Sequence, residues 1–145
     1  MEKHIHTILL AEDNDEHYIN FVQAVNNISG SIEVMRVNNG YDLLSMLETN
    51  IKPDVIFLDI DMPYKSGLQI LEDIQEKIKT QKLPVIILSA SAFDLMIKVA
   101  HQLGAILFAK KYHRPGDLQQ LLATVFSNPY FISCTQAPFE EFVIE

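Results

Sequence analysis

A chain of 145 residues with 48% hydrophobic side chains is long enough to bury one substantial core, and one domain is the default expectation. The net charge of −8 argues against broad binding to a phosphate backbone, and the single cysteine, Cys134, excludes an internal disulfide framework. No apolar run reaches membrane-spanning length and the N-terminus lacks a charged-then-apolar leader, so a cytoplasmic protein with no membrane partner and no direct nucleic-acid contact is expected.

Taken in chain order, short apolar runs alternate with helical periodicity. Thr7 to Ala11 reads as a first strand that delivers the acids Glu12, Asp13 and Asp15 into a strand-to-helix loop. Tyr18, Phe21, Val22 and Val25 then recur at helical spacing, which predicts a helix over about 15–28, and Ser29-Gly30-Ser31 ends it. Ile32 to Val37 makes a second strand, Asn38-Asn39-Gly40 turns into a helix carrying Leu43, Leu44 and Leu47 inward, and Asp54 to Leu58 is a third strand. Leu71, Ile74 and Ile78 mark a third helix. Pro84 opens a fourth strand, Val85 to Leu88, followed by Ser89-Ala90-Ser91 and a helix with Met96, Val99, Ala100 and Leu103 inward up to Gly104. Ala105 to Ala109 is a fifth strand, and Pro115-Gly116-Asp117 starts a last helix bearing Leu118, Leu121, Leu122 and Val125. Beyond Asn128, Pro129 and Pro138 interrupt every period, so the expected division is a domain over 1–127 and an irregular apolar tail over 128–145.

Strands alternating with helices specify an α/β fold with a doubly wound, five-stranded parallel sheet covered on both faces. In such sheets ligands bind at the carboxyl ends of the strands. Glu12 and Asp13 arrive there after the first strand, Asp59 and Asp61 after the third, Ser89 after the fourth and Lys111 after the fifth. Acids that converge without compensation repel one another, so the cluster is expected to hold a cation, and oxygen ligands with open water positions suit Mg²⁺.

These residues resemble the CheY-like response-regulator receiver domains. The acidic pair Glu12-Asp13, the pattern Asp59-x-x-Met62-Pro63-x-x-x-Gly67, the Ser89-Ala90 turn and the run Gly104-Ala105-x-x-Phe108-x-x-Lys111 occur in the family's order across roughly residues 5–127. The resemblance implies the flavodoxin/CheY-like sheet order 2-1-3-4-5 and a two-component signalling role, with Asp59 as phosphoacceptor. It further implies that Asp13, Asp59 and the main-chain carbonyl of Asp61 bind Mg²⁺, with Glu12 reaching the metal directly or through water. Lys111 and Ser89 would contact the phosphoryl group, and Phe108 would move inward behind Ser89. The implied donor is a sensor histidine kinase or histidine phosphotransfer protein. The implied output is a target protein that reads the surface of the fourth helix, fifth strand and fifth helix, with no turnover activity and no fused output domain.

Two positions depart from the family pattern. Glu12 stands where aspartate is usual, lengthening one arm by a methylene, and Tyr112 replaces the proline that usually follows the lysine, so a trans Lys111–Tyr112 bond is expected. A rival reading takes Asp59-x-Asp61 as the nucleophile motif of haloacid-dehalogenase-like Mg²⁺ phosphohydrolases. That motif usually lies on a first strand, whereas here a strand and helix with their own acids precede it. A third reading is a degenerate receiver that binds partners without phosphorylation. His4 and His6 read as a frayed end, and His17, His101 and His113 lack an orienting acid that the pattern can place. In the tail, Phe131, Ile132, Phe139, Phe142, Val143 and Ile144 are too apolar to stay in water, so docking on the chain's own domain or on a second copy in a homodimer is expected.

Overall fold

The computed structural model describes residues 4–62, 65–111 and 115–145, without the Pro115 side chain. The Lys111–Tyr112 bond, His113 and the Pro63 of the third-strand motif therefore lie outside the described residues. Six parallel strands run β1 Thr7–Ala11, β2 Glu33–Val37, β3 Val55–Asp59, β4 Val85–Ser89, β5 Leu107–Lys110 and β6 Val143–Ile144. Their order in the sheet is β2-β1-β3-β4-β5-β6, so the expected order 2-1-3-4-5 holds and a sixth strand is added beyond β5. The helices are α1 Asp15–Ile28, α2 Gly40–Leu47, α3 Gly67–Asp73, α4 Gln75–Gln81, α5 Asp94–Gln102, α6 Pro115–Ser127 and α7 Pro129–Ser133.

Successive strand residues point to opposite faces and meet different helices. Ile8, Leu10, Phe57, Ile86 and Leu88 pack with Phe21 and Val25 of α1 and Leu118, Leu122 and Val125 of α6. Leu9, Leu58, Ile87 and Phe108 pack on the other face with Leu43 of α2, Ile70 and Leu71 of α3, and Ile97 and Ala100 of α5. β3 and β4 are buried throughout, as strands covered by helices on both faces must be.

Two expectations are corrected. The predicted third helix is two, because the chain leaves helical geometry at Ile74, with φ −99° and ψ 7°; the predicted fourth and fifth helices are thus α5 and α6. The segment 128–145 is not irregular. Asn128 caps α7 by accepting from the Tyr130 N–H at 2.9 Å, with Pro129 in the first turn, where its missing N–H costs nothing. A 3₁₀ turn at Phe139–Glu141 then leads into β6, which pairs Val143 with Phe108 and Ile144 with Ala109. The tail docks on its own domain: Phe131 and Ile144 join one core and Phe142 the other, so it wraps the edge of β5.

The loop after β3 is held close to the sheet at one position. A side chain at Gly67 would bring its Cβ 2.7 Å from the Asp59 carbonyl oxygen and 2.7 Å from the Ile60 Cα, too close for any residue but glycine. Its N–H donates to the Ile60 carbonyl at 2.9 Å. The Ser66–Gln69 capping box starts α3 at the same point, which fixes the backbone on which Asp59 stands.

Candidate functional site

Asp59 is the last residue of β3 and only 5% exposed, so its carboxylate needs partners. Oδ1 accepts from the Asp61 N–H at 3.0 Å and Oδ2 from Lys111 Nζ at 3.2 Å. Glu12, at 2% exposure, follows β1 directly. Its Oε1 also accepts from Lys111 Nζ and its Oε2 from the Asn14 N–H at 3.4 Å. One ammonium thus bridges two buried carboxylates that come from different strands, β1 and β3. The Arg36 Nε–H donates to the Glu12 carbonyl at 3.0 Å, while its guanidinium pairs with Asp15 at 2.8 Å and lies 4.7 Å over the Tyr18 ring.

The balance of charge is negative. Glu12, Asp13 and Asp59 each offer a carboxylate oxygen within 4.8 Å of the others, and Asp13 is exposed. Burial pushes the Asp59 carboxyl up from 3.8 to about 6, helped by a hydrogen bond shared with Glu12 and by the charge of Glu12, while Lys111 and the Asp61 N–H pull it down. Two buried carboxylates with a third beside them exceed what one lysine can neutralise. The donor set, hard oxygens with one open side, fits a divalent cation.

Ser89 closes β4 at the same sheet edge and is fully buried. Its hydroxyl donates to the Ser91 carbonyl at 2.6 Å and accepts from the Ser91 N–H at 3.2 Å, so it is turned toward its own loop. The Ser89 carbonyl accepts the Lys111 N–H at 2.7 Å, which ties the end of β5 to β4. Asp61 is exposed and meets Asp59 through its N–H. Phe108 lies away from the acids, fully buried in the core on the α5 side of the sheet.

The model of the response regulator receiver domain matches residues 8–123. The chain belongs to that family. Among curated proteins this receiver is 30% identical over 97 residues to the two-component response regulator ORR11 of rice, in both the indica and japonica subspecies; the match covers 67% of this chain and 66% of the rice protein, a little under two thirds of its length. Among solved structures it superposes on the Mn²⁺-bound form of response regulator Rcp1 with a TM-score of 0.75 at 20% identity, covering 92% of this chain and 99% of that one. The phosphorylated cyanobacterial phytochrome response regulator RcpA gives a TM-score of 0.78 at 24% identity, covering 93% and 99%. CheY4 of Vibrio cholerae gives 0.70 at 18% identity, covering 83% and 98%. At these identities the structural likenesses speak for the fold. Family membership places the chain in two-component signalling, and no described helix is long and apolar enough to cross a membrane.

The receiver's strand ends bring Glu12, Asp13, Asp59 and Lys111 into one cluster, with Ser89 on its rim. His4 and His6 sit at the opposite end of the sheet, before β1. The sequence reading missed two histidine placements. His17 Nδ1 lies 3.7 Å from Glu12 Oε1, and its place in the first turn of α1, directly after the acidic loop, was the available signal. His101 Nε2 lies 2.9 Å from the Ala137 carbonyl, a partner in the tail that no local pattern could point to.

Proposed function

We propose that Asp59 accepts a phosphoryl group from a histidine kinase or phosphotransfer protein, with Mg²⁺ as the cation, and that the modification switches a protein-binding surface. The observation that carries this reading is the bridging of Glu12 and Asp59 by the buried Lys111 ammonium beside a third carboxylate, Asp13. With its carboxyl at about 6, Asp59 is mostly ionised at neutral pH and available as a nucleophile. Asp13, Asp59 and the main-chain carbonyl of Asp61 would hold the Mg²⁺, with Glu12 binding directly or through water. When bound, the ion neutralises the oxygens of the incoming phosphoryl group.

An Asp59 oxygen forms the new bond to phosphorus as the bond to the donor's leaving atom breaks, giving an aspartyl phosphate and the dephosphorylated donor. Lys111 leaves Glu12 and pairs with the phosphoryl oxygens, a charge-assisted contact stronger than a neutral one. The Ser89 hydroxyl exchanges the Ser91 carbonyl for a phosphoryl oxygen. Both exchanges occur at the ends of β4 and β5, next to the surface of α5, β5 and α6 that a target would read. The receiver thus carries its own phosphoryl group between a donor and a target and does not turn over substrate.

Incubation with acetyl phosphate and Mg²⁺ followed by intact-mass measurement tests this. The expected result is one added phosphoryl group, labile to base and absent from Asp59→Asn. A mass gain that survives in Asp59→Asn places the acceptor elsewhere, and release of many equivalents of phosphate from an ester substrate would instead mark a phosphohydrolase.

A further inference from the structure

The sheet is closed at β5 by the chain's own tail. Gln136 Nε2 donates to the carbonyls of His101 at 2.6 Å and Ala105 at 2.8 Å, and the Ala137 N–H donates to the Ile106 carbonyl at 3.2 Å. Those contacts fix the start of the crossing. Beyond them Phe142 is fully buried, its ring centroid 4.8 Å from that of His101 and 6.3 Å from that of Phe108. The Phe108 N–H donates to the Phe142 carbonyl at 2.9 Å, and pairing then ends after two residues of β6.

Without β6, β5 would present an unpaired strand edge beside a slot shaped for an aromatic ring. Such an edge pairs readily with any extended segment. The tail supplies that segment from within the chain. β5 also carries the contact to the acids: Lys111, three residues beyond Phe108, holds Glu12 and Asp59 with its ammonium and Ser89 with its N–H. One four-residue strand thus meets the acid cluster at its end and the tail along its edge. A two-residue strand held by two paired positions is the shortest element of the sheet, so it is the part that yields when β5 is rearranged.

We propose that residues 139–144 form a strap that closes the β5 edge while Asp59 is unmodified. A phosphoryl group on Asp59 releases the strap, because Lys111 and Ser89 re-pair toward the phosphoryl oxygens and draw the end of β5 away from the register that β6 needs. Release opens a strand-acceptor edge with the slot beside His101 and Phe108, which fits an extended apolar segment of a target protein bearing one aromatic side chain. The inference rests on Asp59 being the phosphoacceptor. Coupling of two sites is reciprocal, so weakening the strap also favours the phosphorylated state.

Hydrogen–deuterium exchange of the full chain, with and without acetyl phosphate and Mg²⁺, tests the strap, with intact mass and light scattering measured on the same samples. Amides of 139–145 are expected to exchange at least tenfold faster once the phosphoryl mass appears, with α1 and β1 unchanged and Asp59→Asn unresponsive. Phe142→Leu, which keeps most of the buried volume, is expected to expose the strap amides before phosphorylation and to raise the phosphorylated fraction at a given acetyl phosphate concentration. A phosphoryl mass gain with unchanged protection at 139–145 overturns the strap and leaves the acceptor assignment standing. No mass gain overturns the acceptor assignment and the strap with it. Loss of the strap from its own domain only into a dimer, with protection retained there, overturns intramolecular release in favour of exchange with a second copy.

Discussion

At the end of β5, Glu12, Asp59 and Lys111 bury two carboxylates and an ammonium, whereas along its edge Phe131, Phe142 and Ile144 bury apolar surface alone. The two regions share a strand and stand on opposite sides of the energetic balance. Burying charge is costly even when paired, and the Asp59 carboxyl, pushed up to about 6, shows that its ionised form is disfavoured by the fold. Each fully buried phenylalanine of the tail instead contributes roughly 1.5–3 kcal/mol. The groups proposed to carry function weaken the domain, and the tail offsets that weakness beside them.

Truncation after Asn128 breaks the comparison most severely. It removes Phe131, Ala137, Phe142 and Ile144 from the two cores and bares the β5 edge. Two phenylalanines with the smaller groups sum to on the order of 5 kcal/mol or more, a large part of the 5–15 kcal/mol that holds a typical domain. A fall in the unfolding midpoint of more than about 10 °C is expected by calorimetry. An unchanged midpoint would show that the tail is ornamental and that the cores are complete at Val125.

Asp59→Asn acts in the opposite direction, and its effect depends on pH. The folded carboxyl at about 6 lies above the unfolded 3.8, so between those values the folded state binds more protons than the unfolded one. Stability is therefore lost as pH rises through that window, and the full cost of ionising Asp59 is present above about 6. A shift of that size corresponds to about 2–3 kcal/mol. The amide side chain cannot ionise, so in the absence of divalent cations the variant is expected to be more stable than the parent at pH 7.5 and close to it below pH 4. Equal denaturant midpoints at both pH values would mean that Lys111 fully compensates the buried charge.

Gly67→Ala tests whether the acid corner has any slack. Its Cβ would meet backbone at Asp59 and Ile60, which cannot rotate away as a side chain can, so a loss of roughly 1–3 kcal/mol is expected together with slower phosphoryl uptake. Gly30→Ala, with nothing within 4 Å of the new Cβ, is the matched control and is expected to change stability by no more than about 0.5 kcal/mol. Equal midpoints for the two variants would show that the β3 end is free to shift.

The acid corner was legible in the sequence because each of its residues ends an apolar strand, and parallel sheets bring strand ends to one side. Direction was not legible: nothing local says that Lys111 reaches Glu12, 99 positions away, or that the Ser89 hydroxyl faces Ser91. The tail was harder. Two residues of β6 hold no period, and their pairing depends on β5 having a free edge, a property of the assembled sheet. Asn128-Pro129 was read as an interruption although it is also a helix start, an N-cap followed by a first-turn proline. Ile74 hid the break between α3 and α4 because it is buried like its helical neighbours Leu71 and Ile70.

A smaller effect on stability than that of Gly67→Ala is expected from Glu12→Asp, which sharpens the comparison by touching chemistry alone. Lys111 is divided between Glu12, whose arm is one methylene longer than an aspartate's, and Asp59. Shortening that arm withdraws one acceptor, so Lys111 turns more fully to Asp59, and the loss of the hydrogen bond that protonated Asp59 donates to Glu12 acts in the same direction. Both changes lower the Asp59 carboxyl from about 6, which carboxyl-carbon NMR titration reads directly. Mg²⁺ affinity, measured by calorimetry, is expected to change with it because coordination depends on where the oxygens sit. The fold should lose less than about 1 kcal/mol, since no apolar contact is broken and the ammonium keeps a carboxylate partner. If Asp59 titrates as before and Mg²⁺ binds as before, then the Lys111 bridge to Glu12 does not govern the acid corner, and Asp13 and Asp59 set its chemistry by themselves.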